Sequence, residues 1–265
     1  MKLSITVALD YALPGPTDLM LQLEAAFLPE QIVHRAYIEL PPVLHFARVP
    51  ARDQIGDRIW VRADERLTVR YDALVEPRRF VTPIGALAAV APHRLPAETV
   101  DYLLPSRFCP SDTQQEFAHR EFGSWEGGQK VVAIRDWVSK RLRYVPGSSN
   151  AQTTAIDSLR TGKGVCRDFA HLVITMCRAS AIPARFASVY GLGVEPQDFH
   201  AVAEVFLDGA WHLVDATGMS SPEGMAKIGI GADASGTAFL TGYGEMVLRS
   251  QVVQVDRVRE DSTSK

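Results

Sequence analysis

The stretch "GKGVCRDFAHLVITMCRASAIPARFASVYG", Gly162 to Gly191, decides how this chain is read. Glycines stand before Cys166, and a run that is apolar nearly all round continues from Val165 to about Ser180. This pattern predicts a buried helix that Cys166 opens and Pro183 stops. "ARFASVYG" then reads as a strand. Cys166 has three readings: a small buried hydrophobe, a metal ligand or a nucleophile. A metal site needs clustered Cys and His ligands, whereas Cys166 and Cys177 lie eleven residues apart and Cys109 is remote. No metal or cofactor is expected. The first turn of a helix offers unpaired N–H groups and the positive end of the dipole, which favour a thiolate. The same position also suits a buried structural cysteine. Cys177, inside the run, reads as core.

A thiolate nucleophile needs an imidazole, and the imidazole needs an orienting group. "HAVAEVFLDGAWHLVDAT" reads as a hairpin with Asp208-Gly209 as its turn pair. In that register Leu207 opposes Ala210, Val202 opposes Asp215 and His200 opposes Thr217. His200 and Asp215 are then diagonal neighbours, with Cα atoms roughly 7–8 Å apart. They share a strand face with Val202, Glu204, Phe206, Trp211 and Leu213. That apolar face is expected to pack on the buried helix, so that Cys166, His200 and Asp215 meet at the seam. His212 points to the other face. A half-buried histidine paired with an acid for structure alone gives the same pattern.

Up to about residue 80 the texture is β, with "KLSITVALDY", "QIVHRAYIEL" and "DRIWVRADERLTVRYDALVE" separated by Pro and Gly. The opening segment reads as a strand rather than a secretory leader. Glu24, Glu30 and Glu39 read as solvated or strand-edge charges. A Pro- and Ala-rich connector follows. Ser111 or Asp112 caps a helix reaching Phe122, the segment from Gly127 is helical with one apolar face, and Thr153 or Thr154 caps "AIDSLR". The expected domains are a β-rich unit with connector over 1–95, a catalytic core over 96–258 and a frayed tail over 259–265. The core, started near Leu95, is expected to keep its site geometry if it folds, and the first unit to shape the cleft edge or recruit substrate. The 265 residues carry 28 Lys and Arg against 31 Asp and Glu, for a formal net charge of −3. No basic block argues for nucleic acid and no apolar run is long enough for a membrane helix. Three cysteines, an odd and sparse set, point to reduced thiols and a cytoplasmic location.

"GKGVCRDFAHLVITMCRASAIPAR" followed by "DFHAVAEVFLDGAWHLVDAT" resembles the transglutaminase-like superfamily, as do "PSRFCPSD", "AIRDWVSKRLRYVPGSS" and "TTAIDSL". The resemblance is to its bacterial members with a β-rich N-terminal region. It implies an α+β fold: an N-terminal β-sandwich-like domain, then a papain-like core with a buried helix packed on an antiparallel sheet. It also implies Cys166 as nucleophile, His200 as general base and acid, and Asp215 as orienter. The Cys166 N–H is one oxyanion donor, and Tyr144 or Asn150 is the candidate for a second. Ala216 stands where members often carry proline, and Arg167 where animal transglutaminases carry tryptophan. The function implied is cysteine-dependent hydrolysis, or acyl transfer, at amide bonds of a peptide or isopeptide substrate. The alternative is an inactive binding or scaffold protein on the same fold.

Overall fold

A computed structural model of the chain describes residues 1–258; the tail expected over 259–265 lies outside them. Six strands come first: β1 (Leu3–Ala12), β2 (Thr17–Leu21), β3 (Gln31–Glu39), β4 (His45–Pro50), β5 (Asp57–Ala63) and β6 (Arg66–Pro77). Their alternation explains the layering. In β1, Leu3, Ile5, Val7, Leu9 and Tyr11 are buried. They share a core with Leu19 and Leu21 of β2, Ile59 and Val61 of β5, and Leu67 and Tyr71 of β6. The result is a two-sheet sandwich.

The second unit begins with α1 (Ala97–Val100), α2 (Gln115–Phe122), α3 (Gly127–Arg141), β7 (Arg143–Tyr144), α4 (Ala155–Thr161), β8 (Lys163–Gly164), α5 (Cys166–Ala179), β9 (Ala184–Gly191) and β10 (His200–Leu207). β11 (Ala210–Val214) and β12 (Met225–Gly231) complete its antiparallel sheet, in the order β11-β10-β9-β12. Thr154 caps α4, accepting from the Asp157 N–H at 3.3 Å. Asp208 and Gly209 take φ of 49° and 79°, as a hairpin turn with two left-handed residues requires. The register runs from Leu207↔Ala210 to Ala203↔Val214, as counted from the turn.

The strand face that meets α5 is the opposite of the one expected. Ala201, Ala203, Val205 and Leu207 pack with Phe169, Leu172, Val173 and Met176 of the helix. Val202 and Leu213 pack on the other side with Tyr102, Ala187 and Met225, and Trp211 lies against them. The reason is steric: the alanines of β10 let a bulky helix lie close, while the aromatic face is covered from the connector by Tyr102. All eight residues of β10 are buried, so neither face faces water.

Two further strands, β13 (Leu240–Gly242) and β14 (Val247–Arg257), do not join the core sheet as the division at 96–258 expects. β13 pairs with β2 and β14 with β1, giving sandwich sheets ordered β14-β1-β6-β3 and β13-β2-β5-β4. The sandwich is therefore built from both ends of the described chain. The core is also tied to it. Gln31 bonds the backbone of Lys227 twice, from Nε2 at 2.9 Å and through Oε1 at 2.7 Å. Tyr190, Ala226 and Ile228 belong to the sandwich core.

Glu30, expected as a solvated charge, is instead ion-paired with Lys227 at 2.6 Å. Lys227 also binds Glu204 at 2.5 Å, and Glu204 binds Arg185 at 2.7 Å. The Arg185 guanidinium lies 3.9 Å from the centre of the Trp211 ring. Glu204 is only 1% exposed, and its pKa is held down to about 2. Burial alone would raise it, but Lys227 and Arg185 outweigh that cost.

Candidate active site

Cys166 is the first residue of α5 and is half-buried. The backbone before it is held by Asp168, fully buried, whose Oδ2 accepts from the Val165 N–H at 2.8 Å. An acid at this position also suits the positive end of the helix. Gly164 is needed for the approach: a Cβ there would stand 2.6 Å from the Cβ of Asp168. Arg167, next in the chain, is engaged by the loop before α4. It donates to the Asn150 carbonyl at 2.8 Å and to Ser149 Oγ at 3.1 Å.

His200 opens β10, and Asp215 follows the last residue of β11. His200 Nε2 and Asp215 Oδ2 are 2.9 Å apart, with both side chains buried. Asp215 is itself fixed. Its Oδ1 accepts from the N–H of Thr217 at 2.8 Å and from its hydroxyl at 2.7 Å, and Oδ2 also accepts from the Ser220 N–H at 3.2 Å. His200 Nδ1, the nitrogen that Asp215 does not use, is buried without a hydrogen-bond partner. Burial works against a charge on this ring, but Asp215 and the neighbouring Cys166 outweigh it, and the pKa rises to about 9. The Asp215 carboxyl goes the opposite way: burial would raise its pKa, yet His200 and Thr217 bring it below the ordinary value.

Of the two auxiliary candidates, the fold brings Tyr144 to Cys166. β7 pairs in parallel with β8, setting Tyr144 opposite Gly164, two residues before the cysteine. The Tyr144 hydroxyl neighbours both the backbone N–H and the thiol of Cys166. Burial first, and then the Cys166 and Asp198 charges, raise this phenol to about 12. Asn150 is exposed, and its Oδ1 is occupied in its own turn by the Gln152 N–H at 2.8 Å. Its side chain is not brought to the thiol.

The other two cysteines, and His171 and His212, are engaged elsewhere. Cys109 and Cys177 are fully buried, and burial pushes both thiols up to about 12. His171 is buried against Phe108 and accepts from the Ala234 N–H at 3.1 Å. Burial lowers it to about 3, so it is neutral. His212 Nε2–H donates to the Leu207 carbonyl at 3.2 Å. One support of the site, Thr217, and one acid near it, Asp198, escape the sequence reading. Thr217 follows Asp215 by two residues, a spacing at which aspartate closes a local turn. Asp198 lies two residues before His200, an acid in a loop otherwise without a pattern.

Comparison with known proteins follows the same residues. Residues 116–216 match the transglutaminase-like superfamily. The crystal structure of a candidate cysteine protease from Cytophaga hutchinsonii superposes with a TM-score of 0.92 at 31% identity, over 99% of this chain and 92% of that one. An uncharacterized Mycobacterium leprae protein is 28% identical over 152 residues, 54% of this chain, and mouse kyphoscoliosis peptidase is 34% identical over 119 residues, 40% of this chain. The aligned segments span 54% of the length of the first and 17% of the second. The chain belongs to the transglutaminase-like superfamily and is of the papain-like cysteine-enzyme kind.

Proposed function

We propose that the protein cleaves amide bonds of a peptide or isopeptide substrate through a thioester on Cys166. The observation that carries the reading is the His200 ring, bound to Asp215 through Nε2 and left with a buried, unpartnered Nδ1 beside Cys166. With the ring charged near neutral pH, Nδ1 already holds the proton given up by the thiol, and the Cys166 sulfur, as the thiolate, bonds to the substrate carbonyl carbon. The developing oxyanion accepts from the Cys166 N–H and the Tyr144 hydroxyl. His200 returns its proton to the leaving nitrogen as the C–N bond breaks, which frees the amine and leaves the acyl group on sulfur. Water then gives a proton to His200 and its oxygen to the acyl carbon. The acid departs as the C–S bond breaks, and the pair of thiolate and charged His200 is restored. An amine in place of water would complete a transamidation by the same steps.

Asp215 fixes the tautomer and supports the imidazolium; it does not touch substrate. Tyr144→Phe is expected to lower kcat by roughly 10- to 1,000-fold with KM little changed, the signature of a donor used in the transition state. The test of the reading is a peptide and isopeptide library incubated with the protein and with Cys166→Ala, products being identified by mass spectrometry. Products made by the first and not the second support it. Folded protein that forms no product and no Cys166 adduct favours a binding or scaffold role. A cytoplasmic location remains part of the proposal and rests on the sparse cysteines alone.

A further inference from the structure

Asp198 precedes His200 by two residues, so their Cα atoms are at most about 7 Å apart. Its side chain is exposed. Both of its hydrogen bonds fall on one oxygen: Oδ1 accepts from the Phe199 N–H at 2.7 Å and from Gln251 Nε2 at 2.6 Å. Oδ2 takes part in neither. Gln251 belongs to β14, so the sandwich helps to hold this carboxylate. Three aspartates of the sandwich are paired with arginine: Asp18 with Arg62, Asp10 with Arg66 and Asp72 with Arg70. Asp198 has no such pair among the described residues. Its charge acts on Tyr144, beside the thiol, and on Tyr11 of β1.

An unneutralised carboxylate here has a consequence for the chemistry. Negative charge develops on the substrate oxygen near Cys166 and Tyr144, and a second negative charge close by disfavours it. A substrate that brings its own cation removes this penalty and gains an ion pair. Attraction and repulsion then discriminate in the same direction. Resting on the reading of Cys166 as nucleophile, we propose that Asp198 is a specificity residue that binds a lysine- or arginine-type side chain flanking the attacked carbonyl.

The test uses three acyloxymethyl ketones, carrying N-acetylated lysine, norleucine or glutamate next to the reactive ketone. The thiolate forms a C–S bond at the methylene, the carboxylate leaves, and mass spectrometry follows the Cys166 adduct. The lysyl probe is expected to label Cys166 roughly threefold to fivefold faster than the norleucyl probe, the range of an exposed ion pair. The glutamyl probe is expected to be slowest. The lysyl preference disappears in Asp198→Asn, whose side-chain oxygen still accepts from Phe199 and Gln251, and it turns toward glutamate in Asp198→Lys. It also shrinks in about 0.5 M salt, as a packing effect would not. Equal lysyl and norleucyl rates in the unaltered protein, or a preference that survives Asp198→Asn, overturn the assignment. If all three probes label Cys166 equally, the nucleophile stands and the Asp198 assignment alone falls. If no probe labels Cys166, both fall.

Discussion

Replacing Asp215 by Asn is expected to take the charge off His200 near neutral pH. The carboxylate is 2.9 Å from Nε2, and both side chains are at most 4% exposed. The ring titrates at about 9 against an ordinary 6.5, which corresponds to about 3 kcal/mol in favour of the imidazolium. Burial is the largest single influence on this ring, and it acts in the opposite direction. Without the carboxylate, only Cys166 opposes burial, so the midpoint should fall by well over one pH unit. Because the folded pKa is raised, the interaction stabilises the fold fully below pH 6.5, and that contribution is lost as pH rises through 9. Nitrogen-15 NMR of labelled histidine, titrated from pH 5 to 10, resolves the ring directly. Urea unfolding at the two ends of that window should show the unaltered protein losing up to about 3 kcal/mol from this group, with the variant losing less. A His200 midpoint at or below 6.5 in the unaltered protein, or one unmoved by Asp215→Asn, would refute the reasoning.

Iodoacetamide at pH 6 should modify Cys166 and spare Cys109 and Cys177, whose buried thiols titrate near 12; peptide mapping reads all three at once. The Cys166 rate should drop in His200→Ala, where the neighbouring cation is gone. Lys227→Met should cost about 3–5 kcal/mol in urea unfolding, because it leaves Glu204 buried with only Arg185 as partner. The depressed Glu204 pKa adds a pH signature: its contribution, present above about pH 4.5, is lost as pH falls toward 2, and the variant's dependence there should be flatter. A chain started at Leu95 should be unfolded by circular dichroism, since it deprives β14 of β1 and leaves Tyr190 and Ile228 uncovered.

The local signals were legible. Gly164 before Cys166, the apolar run behind it and the Asp208-Gly209 turn fix the helix start and the hairpin register from neighbouring residues alone. The pairing of His200 with Asp215 follows from that register by counting. What escaped was decided at long range. Which face of β10 meets α5 depends on the closeness that Ala201 and Ala203 allow, and an apolar pattern on both faces of a strand cannot reveal it. Glu30 reads as a solvated charge until the fold brings it to Lys227, nearly two hundred residues away, which also binds Glu204. Tyr144 and Asn150 were indistinguishable by sequence because the short parallel pair β7–β8, which selects Tyr144, carries no pattern of its own. The return of β14 to β1 was likewise invisible, since an alternating strand does not name its partner.

That return sets an order of events during synthesis. β6 ends at Pro77 and β14 begins at Val247, with the core between them. At ribosomal rates the 169 intervening residues take roughly 10 to 35 s to appear. Throughout that interval β1 has a partner on one side only, and its other edge stays open to any strand that meets it. The emerging chain must therefore pass through a state in which one sheet is unfinished while the helix bearing Cys166 is already made. Chaperone demand and the risk of strand exchange between nascent chains should both be greatest in that window, before the last strand closes the sheet that the first one began.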